Sequence, residues 1–289
     1  MYYIHSIKKI VDSGLNETKF TFEKGDAGMI SSSNEKRHVS LSPMTTTSLM
    51  PNVLKSIGLL LGLFLFLCDP SNAHDYWFEF ESQDYVLYRG HHLIQHEGEN
   101  IVPYDPAIIK KVYCADQNGV VRTIDPPLHY PARIPGPCTA LTVEMDTGYW
   151  SQTWTETLNQ PKDEVSDALS SWRALESTKL LNEWIDIPTP KPLSDGLEIL
   201  LEKNPFGLEN GQKLRLLVML EGKPLEGVTM AYDGKPRGVT GKDGRMNIRV
   251  RHGGLQVITG SIKEPPLDRT KADKLIRATA LFFGLPEER

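Results

Sequence analysis

Five histidines carry the chemistry that this sequence offers most plainly: His74, His91, His92, His96 and His252. Neutral imidazole is the commonest side-chain ligand for late first-row metals. His74 opens the stretch Ala73-His74-Asp75-Tyr76-Trp77-Phe78-Glu79-Phe80. If the chain is cut after Ala73, His74 presents two nitrogens from one residue, the α-amine and the imidazole Nδ1. One more imidazole completes a three-nitrogen set suited to square-planar Cu(II) or Ni(II). His92 and His96 share a face in either local geometry, at i, i+4 on a helix or at even spacing on a strand, whereas on a strand His91 points the other way. His252 lies in Arg251-His252-Gly253-Gly254, where glycine lets a backbone or a ligand approach closely. The competing reading for each is an ordinary surface or hydrogen-bonded histidine. For His129, set among prolines, that reading is preferred.

The cut after Ala73 is expected from what precedes it. Lys55 is followed by an apolar or glycine run of 11 residues, Ile57 to Leu67, and then by Ser71-Asn72-Ala73, with small residues at −3 and −1. The run falls short of the roughly 20 apolar residues that span a bilayer. Lipid attachment at Cys68 is the alternative; Leu67 stands where such a signal needs a small residue. Residues 1–73 are therefore expected to be leader and signal peptide. Met44 and Met50 are alternative starts, with an extended disordered leader as the other reading of the first 43 residues. Export to the periplasm follows.

The remaining 216 residues carry 25 Lys and Arg against 31 Asp and Glu, net −6, which argues against nucleic acid as a partner. Two cysteines are left, Cys114 and Cys138, and in an oxidising compartment a disulfide between them is expected. A two-cysteine metal site is the other reading, with no CxxC spacing to favour it.

The elements that must position these residues read as mainly β. Aromatic-rich Tyr76 to Phe80, then Asp84 to Tyr88, Ile108 to Tyr113 and Thr139 to Met145 suit strands. Asn118-Gly119 between apolar runs signals a hairpin. Pro126, Pro127, Pro131, Pro135 and Pro137 exclude central sheet from their stretch. Val165, Leu169, Trp172, Leu175 and Leu180-Leu181 recur at helical spacing, with acids early and Arg173 and Lys179 late, so a helical segment is expected near 161–184. Pro188, Pro190 and Pro192 make an extended linker. The expected organisation is an N-terminal β-rich domain over 74–193 and a C-terminal domain over 194–289. The latter reads as an immunoglobulin-like or transthyretin-like sandwich. The aromatic set at 76–80 and the later tryptophans are read as core rather than as a binding platform. No P-loop, GxGxxG, GxSxG or ordered catalytic set occurs.

The segments "AHDYWFEFE" and "YRGHH", and the later "GLEILLEKNPFGLENGQKLRLLVMLEGKPLEGVTMAYDG", resemble an exported family of unknown function labelled the periplasmic component of a cobalt/nickel uptake system. The resemblance implies a metal role. His74 and His91 match that family's candidate metal positions; His92 and His96 have no firm counterpart in it. It also implies an Ig-like C-terminal domain. The reading is thus a two-domain, mainly β, periplasmic protein that binds Ni(II) or Co(II) in support of uptake, with a membrane metal transporter as partner. It is a binding protein rather than an enzyme. The rivals are a copper-binding protein or histidine-brace redox enzyme, and a structural or adhesion module without metal.

Overall fold

The computed structural model describes residues 75–90, 101–186 and 190–287. Its strands in chain order are β1 (Asp75–Glu81), β2 (Asp84–Gly90), β3 (Ile109–Ala115), β4 (Val121–Ile124), β5 (Ala132–Pro135), β6 (Ala140–Gln152), β7 (Thr157–Leu158) and β8 (Ser170–Leu181). There follow β9 (Glu198–Leu201), β10 (Lys213–Leu220), β11 (Lys223–Pro224), β12 (Thr229–Tyr232), β13 (Lys235–Val239), β14 (Arg245–Arg249), β15 (Gly254–Glu264) and β16 (Lys274–Leu285). The fold is mainly β; among the described residues the only helical pieces are two three-residue 3-10 turns.

The glycine turns form where the residue types require them. Gly119, after Asn118, takes φ +75 between β3 and β4. Gly244, after Asp243, takes φ +71, and a Cβ there would lie 2.8 Å from the Val218 carbonyl oxygen. Both conformations belong to glycine. The proline-rich stretch holds β5, which is the edge strand of a small sheet of order β1-β2-β5, the place proline tolerates.

A nine-stranded sheet in the order β13-β12-β15-β16-β8-β6-β3-β4, with β7 beside β6, is the frame of the molecule. β8 lies in its middle, antiparallel to β6 and parallel to β16, from Trp172 opposite Lys274 to Leu181 opposite Phe283. The helix expected near 161–184 is therefore corrected. That segment is a 3-10 turn at Lys162–Glu164 followed by strand β8. Helical spacing of its apolar residues is a local signal, and two long non-local pairings override it. Side chains of β8 alternate between two covering layers. Thr178 Oγ1 donates to the Tyr76 carbonyl oxygen of β1 at 3.1 Å, whereas Ser177 donates to the Leu197 carbonyl oxygen and Lys179 reaches Glu198 of β9.

The two faces of this frame hold separate cores. One joins Tyr76, Tyr85, Leu87 and Ile134 of the small sheet to Val112, Leu141, Val143 and Met145. The other joins β9, β10 and β14 to Met230, Ile258, Leu281 and Phe283. The nine-stranded sheet draws strands from both sides of residues 193 and 194, and His74–Arg289 forms one compact unit. Cys114 and Cys138 form the expected disulfide, with Cα atoms 5.4 Å apart, buried in the first core.

Candidate functional site

β1 and β2 form an antiparallel hairpin whose register runs from Glu81 opposite Asp84 to Asp75 opposite Gly90. Ser82 and Gln83 close it, both at positive φ, as a two-residue hairpin turn requires. The other end is open. Gly90 bridges to Ile101, and the Val102 amide donates to the Arg89 carbonyl oxygen at 2.8 Å. The chain thus leaves the hairpin after Gly90 and is back beside it by Ile101.

His74, His91, His92 and His96 lie outside the described residues. What the structure describes is their frame. His74 is the chain neighbour of Asp75 and His91 that of Gly90, and Asp75 and Gly90 face each other across one rung.

Around that rung the side chains are aromatic and charged. The Arg89 guanidinium lies over the Tyr76 ring, 6.0 Å from its centroid, and the Tyr104 ring meets Tyr76 edge-on at 5.6 Å. Tyr104 Oη donates to the Leu87 carbonyl oxygen at 2.8 Å, fixing the ring in place. Burial pushes the Tyr76 phenol well above its ordinary range, with Glu176 adding to the effect, so Tyr76 stays neutral.

Glu176 of β8 is the acid beneath this end. Its Oε1 accepts from Thr147 Oγ1 at 3.0 Å. Burial raises its pKa above the ordinary glutamate value; the Thr147 hydrogen bond and Arg89 act the other way, and Asp75 adds to the rise. Protein surrounds the side chain on most sides; a cavity of about 170 Å3 lies on the other face of β8, where Glu144, Ser177, Leu197 and Arg277 line it. The charged groups at that cavity are already engaged. Asp146 takes Arg173 at 2.5 Å, Glu144 takes the Gly196 amide at 2.8 Å, and Arg277 takes Glu264 at 2.7 Å. Sequence reasoning missed Glu176. The signal for it is the alternation Ala174, Glu176, Thr178 on one strand face, which a helical reading of the segment hides.

His252 is held in a network of its own. Its Nε2 lies 2.8 Å from Asp233 Oδ2, its Nδ1 lies 2.6 Å from the Gly253 carbonyl oxygen, and its ring stacks on Tyr232 at 5.8 Å. Both ring nitrogens thus face oxygen acceptors. Gly254 pairs with Leu285, whereas Glu176 pairs with Ala278. Seven residues of strand, about 23 Å, separate these two rungs on β16. Among the described residues no group of three or more His, Cys, Asp or Glu side chains is placed to hold a metal ion. Cys114 and Cys138 are consumed by their disulfide.

A family model described as a domain of unknown function, DUF4198, matches residues 71–264. No curated protein matches, and no solved structure matches.

Proposed function

The chain belongs to the DUF4198 family, a domain of unknown function, and we propose that it is an exported, periplasmic transition-metal-binding protein that supports nickel or cobalt uptake. One observation carries the reading: Asp75 and Gly90 are paired across the last described rung of the β1–β2 hairpin. Residues 74 and 91 extend from the two members of one pair. A free amine and imidazole from His74 and the imidazole of His91 are the proposed ligands, with His92 or His96, from the segment that leaves at Gly90 and returns at Ile101, assisting. His252 is the candidate contribution from the C-terminal half, its ring nitrogens lying near the Gly253 carbonyl oxygen and Asp233 Oδ2.

The compact unit beginning at His74 is consistent with cleavage after Ala73. The bound metal supplies the charge and the coordination preference; the chain supplies nitrogen donors and a frame fixed by the hairpin. Nickel or cobalt rather than copper follows from the resemblance in the opening segments, and a membrane metal transporter is the partner that an uptake role requires. The 194–289 segment is read as an immunoglobulin-like sandwich, supported by the core that β9, β10 and β14 share with β12, β15 and β16.

The test is calorimetric titration of Ni(II), Co(II) and Cu(II) into protein beginning at His74 and into a version carrying one extra N-terminal Met. The extra residue removes the amine–imidazole chelate while every histidine remains, so affinity is expected to fall. His74→Ala and His91→Ala should each weaken binding about tenfold or more, because even changes to groups that only support metal ligands cost that much. Affinity should also drop as pH falls through about 6.5, where imidazole becomes protonated. Equal affinity in the processed and Met-extended proteins removes the N-terminus from the site.

A further inference from the structure

The far tip of the β6–β7 hairpin presents an indole to solvent. Trp154 is 83% exposed, in contrast to Trp77, which is 4% exposed in the core. The turn beneath it is tightly closed. The Thr153 amide donates to the Glu156 carbonyl oxygen at 2.9 Å, and Thr153 Oγ1 accepts from the Thr155 and Glu156 amides at 3.3 and 3.2 Å. An aromatic ring that buries some 150–250 Å2 when covered is here held ready and left uncovered.

Trp154 lines an open groove of about 450 Å3. Three carboxylates line that groove, Glu156, Glu164 and Asp167, with Leu158 and Val165 as its apolar floor and no Lys or Arg among the described lining residues. The nearest basic residue in the chain segment, Lys162, is turned away and paired with Asp273 at 2.5 Å. The groove therefore combines an aromatic face, apolar floor and uncompensated negative charge. That combination repels anions and attracts a cation able to lie flat on the indole. Guanidinium fits best: it is planar, weakly hydrated, and bonds carboxylates while stacking on aromatic rings. A closed turn lowers the ordering cost of such a contact.

We propose that this groove docks a basic segment of a protein partner, with an arginine guanidinium on the Trp154 indole and Glu164 and Asp167 as its carboxylate partners. The surface is independent of the hairpin-end metal site, being built by the β6–β7 turn and the 161–167 segment. An acidic chain overall steers such a partner toward it.

The experiment follows the indole N–H resonances of the full chain by NMR. The Trp154 signal is identified as the one lost in Trp154→Phe. The probes are the peptide Gly-Arg-Gly-Arg-Gly, its glutamate counterpart Gly-Glu-Gly-Glu-Gly, and tri-N-acetylglucosamine as a neutral ring ligand. The arginine peptide is expected to shift the Trp154 signal progressively, and added salt should weaken the effect, as for exposed charges. Trp154→Ala should weaken binding by roughly two- to fivefold, the range of an exposed cation–π contact. Glu164→Gln with Asp167→Asn should weaken it by roughly two- to tenfold while leaving the indole in place. The proposal is overturned if the arginine peptide leaves the Trp154 signal unmoved, if the glutamate peptide moves it equally, or if only the sugar does.

Discussion

Glu176 and Glu198 are acids on the two sides of the same central strand, and they are treated in opposite ways. Glu198 has no exposed surface. It accepts from Lys179 Nζ at 2.7 Å, from the Leu193 and Ser194 amides at 3.0 Å, and from Ser194 Oγ at 3.0 Å. Its acceptor sites are spent on holding the 193–198 turn to β8. Glu176, on the opposite face of β8, has the hydroxyl of Thr147 as its described hydrogen bond. The first acid is a fastener between the two halves of the fold. The second is a carboxyl whose pKa burial raises, beside the Asp75–Gly90 end of the hairpin. A buried charge surrounded by donors is held ionised, whereas a buried acid with a single described hydrogen bond has its pKa raised.

The largest expected effect is on the fastener. Glu198→Gln leaves Lys179 buried opposite a neutral amide and should lower unfolding free energy by about 3–5 kcal/mol, the cost of breaking a buried pair. Chemical denaturation measures it. A loss below about 1 kcal/mol would put Glu198 in the class of exposed ion pairs and erase the contrast.

Next comes the disulfide, which belongs to the Glu176 side. Replacing Cys114 and Cys138 together by alanine opens a loop of 24 residues' separation and should cost about 3 kcal/mol on the entropic account. Hydrogen exchange should show protection falling first in β3, β5 and β6 and last in β9, β10 and β14. Equal loss in both groups would mean the two faces open as one unit.

The smallest effect separates the two acids by pH. Burial raises the pKa of Glu176 in the folded state, so the folded protein holds that proton more tightly than the unfolded chain does. Its contribution to stability is therefore full below the ordinary glutamate value and declines as pH rises through the raised one. Glu176→Gln should flatten that decline in metal-free protein, matching the parent at pH near 4 and being at least as stable at neutral pH. Melting temperatures across pH decide it; a neutral-pH loss as large as that of Glu198→Gln would make Glu176 a second fastener.

Residue types alone were enough for much of this molecule. Apolar alternation over 84–88, 139–145 and 213–220 and the turn pairs Asn118-Gly119 and Asp243-Gly244 point to a mainly β chain, because strand faces and positive-φ turns are set within a few residues. The pairing of Cys114 with Cys138 was likewise legible, these being the two cysteines beyond residue 73. The character of 161–184 was not. Its leucines and tryptophan recur at helical spacing, and only the presence of β6 on one side and β16 on the other makes it strand. The same holds for what surrounds the candidate site. Asp75 meets Gly90, Glu176 feels the charge of Arg89, and Lys179 reaches Glu198 across separations that no local pattern encodes. Periodicity reports how a residue sits on its own strand; which strand lies beside it is fixed by how the whole chain packs its two cores.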